Sequence, residues 1–324
     1  MVVYETRNYV MDSFEFSYGR VLENVDVEYE AFGTPKYDDE GNIINVILFF
    51  RTFQGTYSFI SSSREYVMEN SDFPEEFYFI SVHSLGIPGS CSPSSTGLND
   101  DFPIYSCLDG VNFIRQFLSE KFNINKVLGL LGEGIGGFQA LTWACEYPEE
   151  MEFIFILNSC AKLSGYKFIL SKTFENIIEA ADNDCEDYGI SMNKALVAIN
   201  SLLFAHSASK KVFDKIDNYH LSSIFDDFMD ECLFIDLYDF KFRNNCDSEY
   251  NVVDKLSNIK AKSMFIGTNK NYFDSDLDMA PFKEFVKDSI VLTYDDERED
   301  YYFNQDDYVT IKPELISFIS QFKK

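Results

Sequence analysis

One stretch constrains this chain more than any other: Lys126-Val-Leu-Gly-Leu-Leu-Gly-Glu-Gly-Ile-Gly-Gly-Phe-Gln-Ala-Leu-Thr-Trp143. The apolar run Val127 to Leu131 reads as a buried strand. Gly132-Glu133-Gly134-Ile135-Gly136 reads as a sharp turn, and Phe138 to Glu146 as a helix stopped by Pro148. Glycines let the backbone turn through conformations closed to other residues and let a helix pack close behind a strand. Strand, glycine turn and helix make the setting of a nucleophile elbow, G-x-S-x-G, which lifts one side chain above the carboxyl edge of a sheet. In this chain Glu133 is the side chain expected there, in place of a serine.

The rest of the sequence alternates strands and helices. Residues 14–34 alternate apolar and polar side chains, a strand pair turning near Gly19 and again near Asn24. Val46–Phe50, Phe77–Val82 and Phe153–Leu157 are short apolar runs, expected as buried strands. Leu108, Val111, Ile114, Arg115 and Leu118 have helical spacing. Strand signals then lapse over 162–258. There Phe174, Ile177, Ile178 and Ala181 mark one helical face, and Ala195, Ile199, Leu202 and Leu203 another. Strand character returns at Ser263–Gly267 and Ile290–Tyr294. An acidic loop is expected over Tyr294–Asp307, and a last helix from Pro313, where proline suits a first turn. This order predicts an α/β fold with a mostly parallel central sheet, helices on both faces and a leading antiparallel hairpin. The expected division is a core over 1–161, a helical cap over 162–258, and the rest of the core over 259–324.

The 324 residues carry 27 Lys+Arg against 54 Asp+Glu, a formal charge of −27. Such a surface repels nucleic acid and anionic membrane, so neither is an expected partner. No apolar run approaches the roughly 20 residues of a membrane span, and no signal pattern opens the chain. The seven cysteines are widely spaced, without a C-x-x-C, which suits free thiols in a reducing cytoplasm. With no close Cys/His pairs, no zinc site is expected, and no cofactor is implied.

Gly132-x-Gly134-x-x-Gly137 also fits the dinucleotide fingerprint on spacing. The next strand, however, ends Leu157-Asn158-Ser159, without the ribose-binding acid that the fingerprint requires. Glu133 would also set a like charge against a pyrophosphate.

The chain resembles the homoserine O-acetyltransferase family of α/β-hydrolase-fold proteins along nearly its whole length. The resemblance is carried by Phe32-Gly-Thr34, Gly55-Thr56, Gly86, Ser92-Pro-Ser-Ser95 and Phe102-Pro103. It is strongest at Gly132-x-Gly134-x-Gly136-Gly137-x-Gln139-Ala140-Leu141-x-Trp143-Ala144 with Tyr147-Pro148. It extends to Tyr250-Asn251 and Leu256-x-Asn258-Ile259-Lys260-Ala261. Members of that family acylate a serine from an acyl-CoA and pass the acyl group to a hydroxyl. The resemblance implies an acyltransferase ancestry, a homodimer built through the cap helices, and a Ser-Asp-His triad in the order nucleophile, acid, histidine.

Those triad positions fall on Glu133, on Asn271 (with Asp274 close in register) and on Glu299. The only histidines are His83, His206 and His220, so no imidazole follows residue 220 to act as general base. A carboxylate nucleophile would leave an ester that needs an activated water. The extra methylene of glutamate displaces the attacking oxygen by about 1 Å. The oxyanion-hole donors are expected from Gly134 and Phe53. Arg51 leaves the neighbouring strand end, and a Glu133–Arg51 ion pair filling the acyl site is expected. A metal held by Glu133, Glu299 and Asn271 is the lesser option. His83 lies at the carboxyl edge. His206 and His220 are expected as packing or surface residues, and Ser90, Cys91 and Ser92 as a loop lining the site. The resulting expectation is a non-catalytic relative that binds a small ligand or a partner. The alternative is an active acyltransferase or hydrolase using Glu133 as nucleophile or base, with His83 assisting.

Overall fold

The computed structural model describes residues 6–50, 73–182, 188–232, 236–269, 275–295 and 304–323. Eight strands form one sheet in the order β1-β2-β4-β3-β5-β6-β7-β8. They are β1 (Arg7–Glu15), β2 (Val21–Gly33), β3 (Val46–Phe50), β4 (Tyr78–Val82), β5 (Gly129–Glu133), β6 (Phe153–Leu157), β7 (Lys262–Asn269) and β8 (Ile290–Asp295). β1 and β2 pair antiparallel, as do β2 and β4, and every pair from β4 to β8 is parallel. This is the expected α/β architecture with its antiparallel edge.

The longer helices are α1 (Cys107–Phe122), α2 (Gly136–Glu146), α3 (Tyr166–Asp182), α4 (Tyr188–His206), α5 (Asn218–Cys232), α6 (Leu237–Ser248), α7 (Ser275–Phe285) and α8 (Asn304–Ile319). Alternate residues of the central strands feed two cores, because strand side chains point to opposite faces in turn. Val46, Leu48 and Phe50 join Val111, Ile114, Leu141 and Phe282 on one side of the sheet. Ile47 and Phe49 join Phe155, Leu315 and Phe318 on the other. That two-sided burial is why these strands read as continuous apolar runs.

Between β6 and β7 the described chain holds helices α3 to α6 and no strand of the sheet. Leu170, Phe174 and Ile178 of α3 pack with Ala195 and Ile199 of α4 and with Phe240 of α6. This is the helical face expected from the spacing. The two ends of this excursion lie side by side. Lys162 bridges Asn251, Leu163 N–H donates to Tyr250 at 3.2 Å, and Val252 N–H donates to Ala161 at 2.9 Å.

Three expectations need correction. The hairpin turns once, at Gly19 (φ +84), and not again at Asn24. Asn24 takes a left-handed φ of +53 inside β2, and the ladder resumes on both sides of it, with Met11 opposite Val25 and Ser13 opposite Glu23. Asparagine tolerates that conformation within a continuing strand. The last helix begins at Asn304, so Pro313 lies inside it. Its start at Asn304 also shortens the acidic loop expected over Tyr294–Asp307. Finally, β5 extends beyond Leu131 to Glu133, with consequences for the site.

Candidate functional site at the carboxyl edge

The ladder does not stop where the apolar run stops. Gly132 pairs with Phe50 on one side and with Ile156 on the other, and Glu133 pairs with Leu157. Gly132 is therefore a strand residue. A Cβ there would lie 2.8 Å from Gly137 Cα and 3.0 Å from Ala140 Cβ, so its hydrogen lets α2 sit directly on β5. Gly137 does the same from the helix, where a Cβ would lie 2.5 Å from Ser159 Cβ. The pairing of these two glycines sets the tightness of the bend.

The apex of the bend is Gly134, with φ +53. Ile135 is already right-handed (φ −64, ψ −32), and α2 begins at Gly136. The strained turn position of an elbow is the one that carries the nucleophile. Within Gly132-Glu133-Gly134-Ile135-Gly136 that central position is Gly134, which has no side chain. Glu133 is the last strand residue, half-buried and engaged with a neighbour. The expectation that Glu133 stands at the apex is corrected by one residue. The spacing of G-x-S-x-G carried the signal; reading Gly132 as turn rather than strand obscured it.

The oxyanion-hole expectation shifts with it. Gly134 N–H donates to Leu157 O at 2.9 Å and is spent on the β6 strand end. The amide following the apex is that of Ile135. Gly134 O in turn accepts from Gly137 N–H at 3.1 Å, which closes the turn. Phe53, Arg51, Asn271, Asp274 and Glu299 lie outside the described residues, and with them the Glu133–Arg51 pair and the Glu133, Asn271, Glu299 metal option.

His83 is described, and it belongs to the other end of the edge. Its backbone continues the ladder to β2, donating to Glu28 O at 2.8 Å. Its Nδ1 lies 3.0 Å from Glu28 Oε1 and 3.3 Å from Pro88 O. β3 separates β4 from β5, so the His83 backbone is about 10 Å across the sheet from the elbow strand. His206 contacts Tyr166 Oη at 2.9 Å, and burial lowers its pKa. His220 pairs with Asp217 on the surface.

The loop after β4 is built from its own hydroxyls. Ser90 Oγ accepts from Glu28 N–H at 3.0 Å, and Ser92 forms a reciprocal cap with Ser95. Burial pushes the Cys91 thiol up to about 12. The Ser90 and Ser92 hydroxyls thus hold the loop in place. Ser84 Oγ then donates to Gln139 Oε1 at 2.7 Å and fixes this loop to α2.

Asn158 was not singled out by the sequence reading. It follows β6 with φ +49, and its Oδ1 accepts from Thr268 N–H at 2.7 Å and from Thr268 Oγ1 at 2.9 Å. It thereby ties the ends of β6 and β7 beside the apex. Its left-handed asparagine chemistry was the available sequence signal.

Comparison with known proteins bears on the family and the fold. No protein-family model matches the chain. A "Probable acyltransferase" of Methanothermobacter thermautotrophicus is 35% identical over 288 residues, 89% of each chain. A homoserine O-acetyltransferase of Corynebacterium glutamicum is 27% identical over 173 residues, 51% of this chain and 45% of that one. Among solved structures, an acetylester hydrolase from Corynebacterium glutamicum superposes with a TM-score of 0.81 at 18% identity, covering 99% and 96% of the two chains. The homoserine O-acetyltransferase from Bacillus anthracis gives 0.76 at 16% identity, covering 98% of each. No helix among the described residues is long and apolar enough to cross a membrane. Fold, elbow and relatives agree: the chain belongs to the homoserine O-acetyltransferase-like acyltransferases of the α/β-hydrolase fold.

Proposed function

We propose that this protein keeps the acyltransferase scaffold without acyl-enzyme chemistry and binds a small ligand at the carboxyl edge of the sheet. The observation that carries this reading is the glycine at the left-handed apex. An acyl-enzyme needs a nucleophilic atom at that position, and Gly134 offers only hydrogen. The absence of any histidine after His220 supports the same reading, since no C-terminal imidazole is available to move a proton. A homodimer through the cap helices belongs to this proposal and is tested by light scattering.

A second reading rests on Glu133. It is half-buried, at the end of β5 and one residue before the apex, where a carboxylate can serve as nucleophile or base. One experiment separates the two. The protein is incubated with acetyl-CoA and with p-nitrophenyl acetate, thiol or nitrophenol release is followed, and the intact mass is recorded. No turnover and no added acetyl mass are expected for the parent and for Glu133→Gln alike. Turnover that Glu133→Gln abolishes, or an acetyl adduct on the Glu133 peptide, would replace the first reading with the second.

A further inference from the structure

The fold assembles a group of donors that the sequence keeps far apart. Cys107 is the first residue of α1, and Cys246 and Asp247 lie in the last turn of α6. The two Sγ atoms, 139 positions apart in the chain, are 3.7 Å from each other. One ligand atom from each of Cys107, Cys246 and Asp247 lies within 4.8 Å of the others, and all three residues are buried. Arg243 Nε donates to both Asp247 oxygens, at 3.0 and 3.1 Å.

We propose that Cys107, Cys246 and Asp247 form a binding site for a thiophilic divalent cation of the zinc type. The geometry is close to what such an ion needs. Thiolates at about 2.3 Å from a tetrahedral centre stand about 3.8 Å apart. The sulfurs already span that edge, and the carboxylate has to approach by about 1 Å. The charges also close. On binding, each thiol loses its proton to solvent and each sulfur forms a bond to the metal. Two thiolates and one carboxylate are then balanced by the dication and the Arg243 guanidinium, so no net charge is buried. Sulfur donors select a soft ion over magnesium or calcium, which require an oxygen shell. The site ties α1 of the core to α6, the last of the helices between β6 and β7. Metal bound there would stabilise the fold by holding those two helices together. The sequence expectation set zinc aside for want of a close cysteine pair; the fold supplies one across 139 positions.

The test uses the full chain, reduced, stripped with a chelator and titrated with cadmium and then zinc. The expected result is one ion per chain, thiolate-to-cadmium charge-transfer absorption, release of two protons and a higher thermal midpoint. Cys107→Ser and Cys246→Ser abolish the uptake, while Cys91→Ser, at a buried thiol elsewhere, keeps it. The thermal midpoint of each chelator-stripped serine variant, recorded beside that of the stripped parent, guards against variants that fail to fold. Stoichiometric uptake unchanged in both Cys107→Ser and Cys246→Ser overturns the proposal. So does the absence of uptake by the reduced parent, including the case in which the two thiols only close into a disulfide.

Discussion

The tight seat of α2 on the sheet makes a quantitative prediction at Gly137. An alanine there places a methyl 2.5 Å from Ser159 Cβ, against roughly 3.5–4 Å for an unstrained carbon pair. Both carbons are fixed to backbone, so no rotamer relieves the overlap. The helix start must move by about 1 Å, away from the bend that it closes. Overpacking of this kind costs about 1–3 kcal/mol, and the anchored geometry puts Gly137→Ala near the upper end. Ser159→Gly removes the obstruction, leaving Ile156 Cγ2 at 3.4 Å as the nearest remaining neighbour. Alone it is nearly neutral. It loses about 1 kcal/mol to backbone freedom and gains a similar amount by deleting a buried hydroxyl with no partner. The double variant therefore recovers most of the loss, with a coupling of at least about 1.5 kcal/mol. The only tryptophan, Trp143, is buried on α2 itself and donates from Nε1 to Glu150 at 2.9 Å, so its fluorescence reports on the affected helix. In urea, with a slope near 3 kcal/mol/M, Gly137→Ala lowers the midpoint by about 0.8 M. A midpoint within about 0.2 M of the parent, or a double variant as unstable as Gly137→Ala, would refute the steric account.

Three further outcomes follow from other parts of the structure. Gly165→Ala has open space around its methyl but a φ of +59, so it costs about 1 kcal/mol from backbone strain alone, and Gly165→Asn costs less; thermal melts of the pair check this. Lys167 Nζ lies 2.6 Å from both oxygens of Asp278, joining α3 to α7 in a poorly hydrated place. Lys167→Met leaves that carboxylate short of a cation and lowers stability by about 2 kcal/mol, and adding Asp278→Leu restores most of it, as read by urea titration. Burial pushes the Asp247 carboxyl up to about 6, with the Arg243 charge working against the shift. Its folded-state value exceeds the unfolded one, so its contribution is complete below about pH 4 and is lost as the pH rises through about 6. The stability of the metal-free, chelator-stripped parent relative to Asp247→Asn should therefore fall by about 2–3 kcal/mol between pH 4 and pH 7. A flat difference across that range would remove this assignment.

Much of the fold was legible because its signals are local. Val46–Phe50 and Phe153–Leu157 are apolar at every position since both faces of those strands are covered, and both were placed residue for residue. The helical face of Phe174 and Ile178 was legible for the same kind of reason. The elbow was legible as a motif but misplaced by one residue. Glycine in a sequence marks either a turn or a close approach, and only the ladder from Gly132 to Ile156 distinguishes the two. Pro313 was read as a helix start because that is where proline costs least, yet the helix around it continues on both sides. The Cys107–Cys246 contact was invisible in principle: it depends on how α6 returns to the core, and no spacing rule reaches across 139 positions. The role of His83 was hidden similarly, because Glu28 is brought to it by strand pairing.

The neighbouring feet of the helical excursion have an evolutionary corollary. With Lys162 bridged to Asn251, the chain comes back to where it departed, and the sheet registers only a closed gap of fixed width. Whatever is looped out between those residues is free to lengthen, shrink or be exchanged while the strand order stays intact. Diversification of such a scaffold would therefore concentrate in the looped-out block, with the strand ladder inherited nearly unchanged.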